Sequence, residues 1–298
     1  VGRIRKRELA EVISMWKESF RGELGIRGMD LGDLEPIFRF LLSLRRMPLA
    51  LLHRLGVPVE VWVLRVGGRP VGSVGQIGYR IPYIIGLVVA EGKRSLRLVR
   101  ILDQGVTEGL RNAGYALMRA LVPQNHPIAK LARKLGWEIL GETRQFVLSL
   151  TKVDVAAESP ELKVGPLSFR RENILARTFS AEGNVKALLS VERNYGSTWA
   201  RLFGFRERVL AVEKGGAVLG LARVSWNVYQ PICFMGVPLL QNETSYELLL
   251  IRALTLFRHF GKEVLHLDLW EDQHRAIELL EDLGAADCDH WTYMIKRL

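Results

Sequence analysis

The sequence repeats itself once, at a spacing of 148 residues, and that period sharply limits what it can fold into. Gly67-Gly68-Arg69-Pro70-Val71-Gly72 returns as Gly215-Gly216-Ala217-Val218-Leu219-Gly220. Asn125-His126-Pro127-Ile128, followed by Leu131, Leu135 and Gly136, returns as Gln273-His274-Arg275-Ala276, followed by Leu279, Leu283 and Gly284. The step is 148 residues from Gly67 to Gly215 and from Asn125 to Gln273, about half of a 298-residue chain. Such a unit is too long for a solenoid, whose repeats run to roughly 20–50 residues. A duplicated domain fits it: an N-terminal copy over 1–152, a linker over 153–165 and a C-terminal copy over 166–298.

Within the first copy the patterning predicts an amphipathic helix over Leu9–Phe20 and a second helical stretch over Leu34–Leu55. The β-branched run Val59–Val66, Gly67-Gly68 and Val71–Ile77 read as a hairpin, because paired glycines tolerate the positive φ of a tight turn. Tyr83–Val89 is apolar throughout, as in a central strand. A helix over Ser95–Ala113, a strand over Tyr115–Val122, a helix over Pro127–Lys134 and a strand over Thr143–Leu150 complete the copy. The second copy keeps this order from Val209 to its last strand, read over Trp291–Ile295, while its front matches poorly. The expected class is α/β, with a mixed sheet of α+β character, twice over.

Composition excludes several classes. The longest uncharged apolar stretch, Ile81–Ala90, is ten residues, and a bilayer-spanning helix needs about 20. The basic N-terminus has no apolar core behind it, so no secretory signal is expected, and the cytoplasm is the default compartment. Cys233 and Cys288 lack metal-ligand spacing, and His266-x-Asp268 has no third ligand nearby, so no metal site is expected. The basic excess behind the net charge of +10 lies wholly in residues 1–150, which suits an anionic ligand there.

The order hairpin, strand, helix, strand, short helix, strand resembles the GNAT acyltransferases. The stretch Asn125 to Trp137 is similar to that family's segment Asn-x-x-Ala-x-x-Leu-Tyr-x-x-Leu-Gly-Phe, and Gln273–Ala285 matches it with Ala276 at the small position. The resemblance covers both halves and implies two GNAT-like domains in tandem. It also implies an acyl-CoA, acetyl-CoA first, with its pantetheine arm on the third strand and its pyrophosphate on the amides of the next helix start. Carried over to this chain, the cofactor-binding residues are Val89, Gly92, Lys93, Arg94, Ser95, Leu96, Arg97 and Asn125. Arg94 fits the first position of the family's phosphate loop, whereas Arg97 and Val99 replace its two small residues. In the second copy Leu239–Tyr246 has neither glycine nor base there, and Glu243 repels phosphate, so the cofactor is expected in the first copy.

Acyl transfer to an amine needs a base, an oxyanion donor and an acid for the leaving thiolate. The family's tyrosine acid is replaced by Ala132 and by Leu280. Candidate substitutes are His126, Tyr83, Tyr115 and Glu91, with Tyr79 beside them, and Trp226 and Tyr229 as walls of a substrate cleft. The leading expectation is an N-acyltransferase joining a CoA thioester and an amine of open identity. A non-catalytic ligand- or protein-binding module of the same fold is the alternative. A nucleic-acid-binding protein ranks third, because no basic stripe interleaved with aromatics is present. Oligomeric state is left open.

Overall fold

The computed structural model describes residues 1–19, 59–77, 81–151, 162–192, 201, 204–241 and 244–298. The predicted helix over Leu34–Leu55 and Tyr79 lie outside these. Among the described residues the first half contains strands β1 (Gly2–Arg3), β2 (Val59–Val66), β3 (Arg69–Ile77), β4 (Tyr83–Val89), β5 (Leu117–Pro123) and β6 (Glu138–Ser149). Its helices are α1 (Leu9–Ser19), α2 (Leu96–Asn112) and α3 (Pro127–Lys134). The second half contains β7 (Lys163–Pro166), α4 (Phe169–Ala181), α5 (Val185–Val191), β8 (Phe205–Lys214), β9 (Ala217–Asn227), β10 (Ile232–Met235), β11 (Leu239–Leu240), α6 (Thr244–His259), β12 (Val264–Trp270), α7 (His274–Asp282) and β13 (Ala286–Arg297). The segment read as a linker already forms β7 at its end, and α4 and α5 account for the front of the second copy that matches the first poorly.

The 148-residue period is visible in the backbone. Gly67 and Gly68 turn the β2–β3 hairpin at φ 59° and 78°, and Gly215 and Gly216 turn β8–β9 at 57° and 87°. Both are left-handed conformations that only glycine adopts cheaply. On β3, Ser73 and Gly75 pair with Val88 and Ile85 of β4, so two steps oppose three and β4 bulges. On β9, Leu221 pairs with Leu239 and the carbonyl of Arg223 accepts from Gly236 N, giving the same bulge 148 residues on.

The halves are not side by side as closed units. One mixed sheet runs β1-β2-β3-β4-β5-β13-β6-β12-β10-β9-β8-β7, with β11 on β9. The last strand of the second half thus lies against β5 of the first, from Trp291↔Pro123 to Arg297↔Leu117. The last strand of the first half lies against β12, from Val264↔Ser149 to Trp270↔Thr143. The two exchanged strands pair with each other across the middle. On one face α2 and α3 bury Trp62, Leu102, Leu110, Met118 and Met294, and α6 and α7 bury Phe146, Leu249, Phe257 and Leu267. On the other face α1 covers β3 and β4, and α4 and α5 cover the second half and the junction.

Buried ion pairs fasten the N-terminus. Glu8 is 3% exposed and accepts from Arg65 Nε and Nη2 at 2.7 and 2.6 Å and from the Arg5 amide at 2.7 Å. Burial alone would raise its pKa, but the Arg65 hydrogen bonds and charge, with Arg5, hold it below the usual carboxylate value. A carboxylate with a depressed folded pKa stabilises above its unfolded value, about 4.3, and loses that contribution as pH falls through the folded one. Glu8→Gln is therefore expected to cost about 2 kcal/mol near neutrality, with the gap to wild type closing below about pH 4. Urea unfolding of both proteins from pH 7 to pH 3 checks it; a gap independent of pH would contradict it.

Candidate functional site

β4 and β5 are parallel, and their ladder holds only two pairs, Tyr83↔Arg119 and Ile84↔Ala120. Beyond Ile84 the strands part at the bulge, where Gly86 takes φ 60°. A side chain at that φ would strain β4, so glycine is required there. The result is a slot, closed at Tyr83, whose β4 wall offers backbone groups that no described partner strand takes on that side.

The slot opens on the N-terminus of α2. Gly92, at φ 74° with open space around it, turns the chain out of β4, and Lys93 N donates to Ala90 O at 3.0 Å. Ser95 caps the helix, its Oγ accepting from Leu98 N at 3.3 Å. The amides of Arg94, Ser95, Leu96 and Arg97 have no backbone acceptor among the described residues. Arg94 Nε reaches back to Val89 O at 3.4 Å, and Lys93, Arg97 and Arg100 are exposed around the same turn. The first turn carries no acid. Unengaged amides, the positive helix end and four cations together concentrate positive charge at this turn.

Asn125 and His126 follow β5 at the same end of the slot. Asn125 is held at φ 61°, and His126 caps α3, its Nδ1 accepting from Ile128 N at 3.2 Å. Both are exposed, as is Glu91. The structure thus gathers Val89, Glu91, Gly92–Arg97, Asn125 and His126 at one end of β4 and β5. Tyr83 stands at the closed end of the slot. Tyr115 precedes β5, packed in the first-half core beside the end of α2, and does not join the others. Ala132 is partly buried in that core and Leu280 fully buried in the other, so neither position offers a proton. Trp226 is buried and stacked on Phe260 inside the second half, so it walls no cleft, and Tyr229 is exposed at the turn after β9, its ring against Gly204.

The second half has the bulge but not the open slot. β10 pairs with β12 along its whole length, Ile232↔Val264 to Met235↔Leu267. Where the strands then part, the Gln273 side chain spans the gap. Its Nε2 donates to Pro238 O at 3.2 Å, and its Oε1 accepts from Trp270 N at 3.1 Å. Gln273 is the repeat mate of Asn125. The longer side chain satisfies in place the backbone groups that the first half leaves open.

Sequence reasoning passed over a polar cluster under the closed end of the slot, on the face covered by α5. It consists of Arg119 on β5, Tyr293 on β13, Arg223 on β9 and Glu192 just after α5, with Tyr83 and Asp268 at its edges. Its one signal was an arginine inside each of two apolar strand runs, Leu117–Val122 and Leu219–Val224.

Among the described residues no group of three His, Cys, Asp or Glu side chains could hold a metal, and no helix is long and apolar enough to cross a membrane. No protein-family model matches the sequence, and no curated protein matches it. Solved structures do. A glucosamine N-acetyltransferase region of a fungal multi-domain GH3 β-N-acetylglucosaminidase is 12% identical at a TM-score of 0.57, over 98% of this chain and 37% of that one. A GCN5-related N-acetyltransferase from Sphaerobacter thermophilus is 11% identical at 0.53, over 99% and 94%. Another from Anabaena variabilis is 11% identical at 0.50, over 99% and 71%. At such identities the likeness is one of backbone path. With the repeated bulge and the parted parallel strands, it gives this chain the fold of the GCN5-related N-acetyltransferases.

Proposed function

We propose that the first half binds an acyl-CoA, acetyl-CoA first, and transfers the acyl group to an amine. The observation that carries this reading is the slot between β4 and β5, which ends on a cation-rich helix start whose first amides have no backbone acceptor among the described residues. The β4 edge beyond Ile84 would take the amides of a pantetheine arm, and the α2 amides with Lys93, Arg94 and Arg97 would take its phosphates. When bound, the thioester supplies an activated acyl carbon and a thiolate leaving group. The bulge at Gly86 turns backbone amides toward the slot, where one can hold an oxyanion. Tyr83, at the closed end, is the proposed proton-handling group of the four sequence candidates, since His126 and Glu91 lie at the phosphate end. The second half is read as structural, its slot filled by Gln273.

A second reading, a non-catalytic binder of the same ligand, is favoured by Ala132 and Leu280, which replace the proton donor in both halves. Calorimetric titration of acetyl-CoA and CoA tests both. Wild type is expected to bind one equivalent, and Arg94→Glu/Arg97→Glu to bind roughly 100-fold more weakly, about 2.7 kcal/mol. A folded wild type that binds neither ligand at millimolar concentration would overturn both readings. Binding without thiol release on any amine would leave the second.

A further inference from the structure

The cluster under the slot joins residues from both halves. Arg119 is 3% exposed, and its guanidinium lies 5.7 Å from the centre of the Tyr83 ring. Glu192 is buried; its Oε1 accepts from Ile81 N at 3.2 Å, and its carbonyl accepts from Arg223 Nη1 at 3.0 Å. Arg223 lies across the backbone of Gly236, where an added Cβ would stand 3.0 Å from Nη2, and its Nε is enclosed without a hydrogen-bond partner. Tyr293 reaches the cluster from the exchanged strand β13, two residues before Ile295, which pairs with Arg119, and so on the same face of the sheet. Among the described residues, the groups that act on Arg119 electrostatically are Tyr293, Arg223, Glu192 and Tyr83. Asp268 faces Tyr293 and accepts from Gln145 Nε2 at 3.0 Å. Tyr83 and Arg223 are only half-buried, which gives the cluster access to solvent.

A junction that served stability alone would be filled more cheaply by apolar groups, since buried ion pairs seldom repay their desolvation. The same face does this elsewhere with Ile81, Leu189, Val191, Leu221 and Ile295. Here instead two guanidinium groups, one from each half, converge at the closed end of the slot. That is the end farthest from the phosphate-binding turn, where the far end of a ligand threaded between β4 and β5 arrives. Charged groups gathered at the inner end of a slot are candidates for a functional role.

We propose that this cluster is the acceptor site, and that the acceptor is a small amine carrying its own carboxylate or phosphate, held by Arg119 and Arg223. The inference rests on the reading of the slot as an acyl-CoA site. The carboxylate of Glu192, on the same cluster, is placed to attract the acceptor's ammonium group. The second half is then more than a scaffold, because it supplies one of the two arginines, the carboxylate and a phenol to a reaction begun in the first.

The test is thiol release from acetyl-CoA with four pools of acceptors: amino acids, the same amino acids as their amides, amino phosphates such as phosphoethanolamine, and polyamines. One of the two anionic pools is expected to be used at least about 10-fold better than the amides and polyamines, and which one names the anion. Arg223→Met is expected to raise KM for that pool by about 10–100-fold and to leave acetyl-CoA affinity within about twofold, with Arg223→Lys in between. Equal or better use of amides or polyamines, turnover with none of the pools, or an Arg223→Met enzyme that keeps its preference would overturn the proposal. Failure of the slot reading is distinguishable, because acetyl-CoA would then not bind in the calorimeter.

Discussion

A chain ending at Ala285, without β13, is expected not to fold into a soluble monomer. β13 is paired on both sides, with β5 and with β6, so its loss opens two unsatisfied edges in the middle of the sheet. It also removes Tyr293, Met294 and Ile295, which are at most 7% exposed, from both faces. At about 2 kcal/mol for each large apolar side chain, the three contribute roughly 6 kcal/mol before any lost ladder bonds are counted. Total stabilities of domains run to about 5–15 kcal/mol. Thermal unfolding followed by circular dichroism and gel filtration should show loss of the cooperative transition and association through the bared edges. The outcome separates the exchanged arrangement from two independent domains, which would leave the first half intact after the same cut. A truncated protein that stays monomeric and melts cooperatively would contradict the exchange.

Asp103→Ala is expected to be the most damaging of the single changes considered. Asp103 sits on α2, 4% exposed, and accepts from Trp137 Nε1 at 2.9 Å and from Lys296 Nζ at 2.5 Å. Lys296 belongs to β13 and its side chain is 12% exposed, so the pair pins the exchanged strand to a first-half helix. Removing the carboxylate leaves an ammonium group with little access to water, which costs about 3–5 kcal/mol. Replacing both partners, as Asp103→Ala/Lys296→Met, removes the stranded charge and should recover most of that loss. Urea titration of the two single variants and the double variant closes the cycle. Additive losses would show that the pair is not coupled and that the pin does not exist.

Where a feature is written in local residues, the sequence was legible. The strand Tyr83–Val89 and the helix Pro127–Lys134 were read with their bounds, and the Gly-Gly hairpins at their turns though not over their full strands, because turn glycines, apolar runs and a proline at a helix start act within a few residues. β6 and β13 were read too short, from Thr143 and Trp291 instead of Glu138 and Ala286. The opening residues of both strands are exposed or half-buried, with two apolar residues side by side in β6 (Ile139 and Leu140) and mostly polar ones in β13, and so lack a clean apolar alternation. The exchange of those strands was not legible. β13 presents the same alternation to β5 as β6 would have done, and nothing in a strand's own pattern says which equivalent edge it will take. The phosphate end of the slot was legible as a cationic helix start behind Gly92. The acceptor end was not, because Arg119 and Arg223 are more than 100 residues apart and meet only once the halves share a sheet.

The exchange also has a consequence for how the protein is made. β5 is complete when residue 123 has been synthesised, but the strand that covers its free edge runs to Arg297. At ribosomal rates of about 5–20 residues per second, that edge waits on the order of 10–30 s for its partner. β6 waits in the same way for β12. The usual advantage of a tandem protein, that the leading domain can finish before the trailing one emerges, is forgone here. The nascent first half must remain unfinished and unaggregated until β13 leaves the ribosome, so its yield in a cell should depend on translation speed and on chaperones that shield strand edges.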